Sequence, residues 1–78
     1  MVVTFQNCTV LSKFVGKSKA GNDYGRIKFL TAEYDVFEIF VGASDIDALQ
    51  RVEVKHMYDL DFLISPAYNG GVRLSPAW

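Results

Sequence analysis

Apolar and polar positions alternate through residues 2–15, a run rich in Val, Thr and Phe that reads as a β-strand. The alternation slips at Gln6-Asn7, which predicts a bulge and a bend in a long first strand. A polar, glycine-bearing connection follows from Gly16 to Asp23, longer than the usual hairpin loop. Residues 24–31 form a second strand, with Ile27 and Phe29 on one face and Tyr24, Arg26 and Lys28 on the other. Ala32-Glu33 is a short turn into a third strand, residues 34–41. Phe37, Ile39 and Val41 share one face of it; Tyr34, Val36, Glu38 and Phe40 share the other. Both faces are partly apolar, so the outer one is expected to be covered.

Period-two patterning breaks at Ser44–Val52, which reads as a short helix with Ser44 as cap and Ile46 and Leu49 as its apolar face. Residues 53–64 are a fourth strand, in which His56, Tyr58, Leu60, Phe62 and Ile64 are expected to face the core. Ser65–Gly71 is a turn carrying Asn69-Gly70-Gly71, and Val72-Arg73-Leu74 is a last strand stopped by Pro76. The order is three strands, a short helix, then two strands. It predicts a mainly all-β chain: a five-stranded, OB-fold-like barrel with one helix between strands 3 and 4, in a single domain spanning residues 1–78.

Composition narrows the class. Half of the 78 residues are apolar, with six Phe, four Tyr and one Trp, which excludes disorder. A chain of this size buries only about 60–65% of its unfolded surface, so its core must be dense or shared with a second copy. The lone Cys8 forms no internal disulfide and reads as a small core residue. That usage suits a reducing cytoplasm. The first residues lack the pattern of a signal peptide, and no apolar run has the length of a membrane helix.

The net charge of −1 is unevenly distributed: residues 1–28 carry +4 and residues 29–61 carry −6. A basic region can therefore bind phosphate while the rest of the domain is acidic.

No catalytic constellation, cofactor motif or metal-ligand spacing is visible. His56 reads as a core or dimer-face histidine. Asp59 and Asp61 share a strand face about 7 Å apart and read as a solvated acidic surface. The second strand offers more. Tyr24, Arg26 and Lys28 point one way, and Lys17 and Lys19 lie on the loop leading to them. Single-stranded nucleic acid asks for this combination, cations for the phosphates and exposed rings for splayed bases. Tyr34 and Tyr68, both at turns, are further stacking candidates, and an ordinary hydrated strand face with Tyr24 as packing is the alternative.

On Gly21-Asn22-Asp23-Tyr24, Glu33-Tyr34-Asp35-Val36, and the stretch from Tyr58 through Asn69-Gly70-Gly71 to Val72-Arg73-Leu74-Ser75-Pro76, the chain resembles the small OB-fold single-stranded-DNA-binding proteins of phages, the filamentous-phage gene V type in particular. The resemblance implies a homodimer that coats single-stranded DNA, or RNA, without sequence preference, in phage or mobile-element replication or recombination and beside proteins of those processes. It places Tyr24 and Tyr34 at the family's exposed tyrosines, Tyr68 near the aromatic of the hairpin tip and Arg73 near a basic residue of the last strand. Lys17 and Lys19 would replace the basic residues of the first long loop. The chain departs from the pattern at Phe37-Glu38-Ile39-Phe40, where the family carries a lysine. Trp78 reads as either a recruitment tip or a ring folded back on the barrel. The acidic third and fourth strands, with Val36, Phe40, Met57 and Leu63, also suit a second class of function: a protein-interaction module or an inhibitor of a host enzyme.

Overall fold

The first strand, β1 (Val2–Lys17), bends because it carries two bulges. One lies between Phe5 and Cys8, at the predicted slip, where Asn7 adopts φ 53°. Asn and Asp tolerate this left-handed conformation better than branched residues do. The Asp59 carboxylate accepts a hydrogen bond from the Asn7 backbone N–H at 2.9 Å, and Asp61 accepts one from the Thr4 hydroxyl. The two carboxylates are therefore not merely a hydrated acidic surface: they fasten the bulged half of β1 to its neighbour.

The second bulge falls between Val10 and Ser12 and reverses which residues face inward. It lets β1 pair with two partners in turn. Its first half pairs with β4 (Met57–Pro66) and its second half with β2 (Asp23–Leu30), with Thr9 opposite both. β2 continues into β3 (Val36–Gly42), and β4 into β5 (Val72–Pro76). The strand order is β3-β2-β1-β4-β5, antiparallel throughout, and β3 approaches β5 without ladder pairing. The result is a nearly closed, five-stranded OB-like barrel with one short helix between β3 and β4. The computed structural model describes all 78 residues. No helix in it is long and apolar enough to cross a membrane.

The interior is Cys8, Val10, Ile27, Phe29, Val41, Leu49, Val52, Leu60 and Phe62. Phe29 and Phe62 stack at 5.7 Å, and Phe5 packs against both and against Phe37. Fully burying a ring of this kind contributes on the order of 2–3 kcal/mol. The helix α1 (Ile46–Gln50) plugs one end with Leu49. Gly25 makes room for it: a Cβ there would lie 2.5 Å from a Leu49 methyl. Burial, and to a smaller extent the Asp59 carboxylate, pushes the Cys8 thiol above its ordinary pKa.

Several expectations need correction. The β1–β2 loop is only Ser18–Asn22, because β1 and β2 pair as far as Lys17 opposite Asp23; its length is ordinary for a hairpin. The β2–β3 turn takes residues 31–35, so Tyr34 precedes the third strand. Ser44 does not cap the helix. A 3-10 turn, Ala43–Asp45, comes first, and no side chain bonds the helix start. The fourth strand begins at Met57, after a turn in which Lys55 has φ 70°. That turn exposes His56, which pairs with Glu53 at 3.2 Å and stacks on Tyr58, so it does not face the core. The outer face of β3 is uncovered, with Val36 and Phe40 in solvent. Trp78 folds back: its indole N–H donates to the Ala48 carbonyl at 2.7 Å and its ring meets Phe62 edge-on.

Candidate nucleic-acid interface

The three strands β1, β2 and β3 present one continuous outer face. Register places Phe14 opposite Arg26 and Gly16 opposite Tyr24 on one side of β2. On the other side, Phe40 lies opposite Arg26, Glu38 opposite Lys28 and Gly42 opposite Tyr24. Strand alternation sends all of these side chains outward. Phe14 and Phe40 are 44% and 58% exposed, and so flank Arg26 with two accessible rings.

The Phe14 and Tyr24 rings lie 5.9 Å apart. The Arg26 guanidinium sits 5.3 Å from the centre of the Phe14 ring, a cation–π contact. Gly16 permits this arrangement, since a Cβ there would come within 2.7 Å of the Phe14 ring. Arg73 reaches over from β5, with one guanidinium nitrogen 3.6 Å from where a Gly42 Cβ would stand. It lines a groove of about 410 Å³ together with Glu38, Phe40, Asn69 and Val72. Tyr68 stands fully exposed in the turn that borders this groove.

The charges are only partly free. Lys17 pairs with Asp23 at 3.1 Å, and Arg26 approaches Glu38 at 3.8 Å. Both pairs are solvent-exposed and hold their partners weakly, so a phosphate can compete for them. Lys19, Lys28 and Arg73 form no ion pair. Lys13, counted in the basic N-terminal third, is unavailable. Its ammonium donates to the Val52 carbonyl at 2.6 Å and the Leu49 carbonyl at 3.3 Å, at and just beyond the C-terminal end of α1.

The structure thus gathers Tyr24, Arg26, Lys28 and Arg73 on one face, with Lys17 and Lys19 at the loop edge and Tyr68 at the far rim. Tyr34 lies elsewhere. It is at the opposite end of β2, about 20 Å along the strand from Tyr24. It is 84% exposed, with φ 66°. Glu33 and Asp35 flank it, and they would repel a phosphate there. The hollow beside that turn, lined by Phe5, Phe37, Glu33 and Asp35, is unsuited to phosphate for the same reason. Phe14 is the residue that sequence reasoning passed over. Plain alternation puts it inside with Val10, and only the bulge turns it out. No local signal marks that bulge, because Leu11-Ser12-Lys13 holds neither glycine nor proline.

Comparison with known protein families, with curated proteins and with solved structures finds no match.

Proposed function

We propose that this chain binds single-stranded nucleic acid, DNA in the first instance, without sequence preference, on the outer face of β1–β3. One observation carries the reading: exposed Phe14 and Phe40, with half-buried Tyr24, surround Arg26 on the sheet face, and unpaired Lys28 and Arg73 stand beside them. Phe14 and Tyr24 touch and form one aromatic surface, Phe40 stands across Arg26, and bases can stack on the outward sides of these rings while the cations among them meet the phosphates. Each stacked base contributes about 1–3 kcal/mol, whatever its identity, because every base has a π-face. Such a module serves to protect or deliver single strands, as in phage or mobile-element replication or recombination, within the host cytoplasm. It needs no catalytic group or cofactor.

The test is a titration of fluorescent oligo-dT, roughly 30 nucleotides long, followed by anisotropy at about 50 and about 200 mM salt. Saturable binding at low salt that weakens steeply at high salt is the expected result. Absence of binding at both salts by folded protein refutes the reading. The outer residues Val36 and Phe40, on a strand whose far edge is unpaired, would then favour the second function, a docking face for a protein.

A further inference from the structure

Glu38 is the one carboxylate in the middle of this face, and its surroundings are cationic. It stands opposite Lys28 in the β2–β3 register, 3.8 Å from the Arg26 guanidinium, and on the same groove as Arg73. Its own side chain is 39% exposed and Arg26 is 43% exposed, so the pair is open to solvent on the side from which a ligand would arrive. A stabilising role for the pair is small, since exposed ion pairs at this distance contribute little to folding. The contact instead matters to whatever anion comes to Arg26.

Resting on the reading above, we propose that Glu38 is an internal competitor for phosphate, which holds Arg26 in the unbound protein and sets the affinity of the face. Arg26 has three claimants: the Phe14 ring, the Glu38 carboxylate and an incoming phosphate. When a phosphate takes the guanidinium, Glu38 loses its partner and faces the phosphate at short range. It must then recruit a cation from solution, which cancels part of the counterion release that drives association. Glu38 therefore lowers affinity and flattens the salt dependence together. It also confers selectivity for polyanions: an isolated anion recovers too little elsewhere on the face to displace the carboxylate, whereas a strand that also engages Lys28, Arg73 and the rings does so.

The experiment uses the full chain and the same oligo-dT, comparing Glu38→Gln with Glu53→Gln. Glu53 lies in the turn before β4, paired with His56, and its substitution changes the net charge by the same amount. Glu38→Gln is expected to tighten binding about fivefold or more at 50 mM salt and to steepen the slope of log K against log salt by about 0.7, one phosphate's worth. Glu53→Gln is expected to change neither. In an Arg26→Gln background the gain from Glu38→Gln is expected to shrink, the coupling that a shared contact produces. Affinity unchanged within twofold in Glu38→Gln overturns the proposal, as does an equal gain in Glu53→Gln, which would make the effect one of total charge. Wild-type protein that binds at no salt overturns the nucleic-acid reading itself and this proposal with it. Wild-type binding with an inert Glu38→Gln overturns the proposal alone.

Discussion

Tyr24 and Phe14 show how much a single side chain's setting decides. Both are aromatic, both sit on strands, and their rings lie 5.9 Å apart. Tyr24 was legible from the sequence because it alternates with Arg26 and Lys28, which have no reason to be inside. Phe14 was not, because plain alternation puts it on the same side of the strand as buried Val10, where a phenylalanine reads as core. The two make a paired prediction. Tyr24→Ala and Phe14→Ala are each expected to weaken oligo-dT binding about 5- to 20-fold, within the range of one lost base stack. Tyr24→Phe should keep most of the affinity, since the π-face remains. Thermal unfolding should shift by only a few degrees, because neither ring belongs to the buried core. Equal affinity in both alanine variants would remove these rings from the site.

Among the elements, β1 is the decisive one, and its bulges are unequal in legibility. The first was readable at Gln6-Asn7 from the broken alternation. The second was hidden, since Leu11-Ser12-Lys13 disturbs the pattern without a glycine or proline to mark it. Its effect is to put Lys13 on the Ile27 side of the sheet, where its ammonium reaches the Leu49 and Val52 carbonyls, and to turn Phe14 to the other side. Lys13 is thus a structural cation, although composition counts it among the phosphate-binding ones. Lys13→Ala is expected to lower stability in urea by roughly 1–2 kcal/mol, as befits two lost hydrogen bonds from a charged donor to the Leu49 and Val52 carbonyls. It should leave nucleic-acid affinity within twofold. Lys19→Ala should do the opposite, weakening binding with no change in stability. A variant at Lys13 that loses affinity while keeping its stability would reverse this assignment.

At the scale of the whole molecule, the barrel stops short of closure. β3 and β5 each keep one edge without a ladder partner, and Val36, Phe40 and Val72 beside those edges are exposed. A chain of 8.8 kDa has little surface to spare for such features. Unpaired edges and apolar side chains together favour association between copies. Light scattering at micromolar concentration is therefore expected to return the mass of a dimer. A monomer mass there would refute association of copies through these edges. The C-terminal segment works at this scale too. Trp78 bridges Phe62 and the Ala48 carbonyl, and Arg51 binds its backbone oxygen, so the last residue holds the helix against the barrel.

What the sequence determined by itself was the set of elements and their inward faces. Period-two alternation is a local property, and Ile27, Phe29, Leu60 and Phe62 carry it without ambiguity into the core. The succession of three strands, a short helix and two strands along the chain followed from it. What only the tertiary structure decided was the fate of charges and rings whose partners are distant in the chain. Lys13 meets carbonyls more than thirty residues away, Asp59 meets a bulge fifty-two residues away, and Arg26 meets Glu38 across a strand pair. A bulge shifts every later side chain by one position, and a one-position shift in a sheet exchanges inside for outside. The candidate site depends on that shift, which is why its tyrosine and arginine were visible from residue order and its phenylalanine was not.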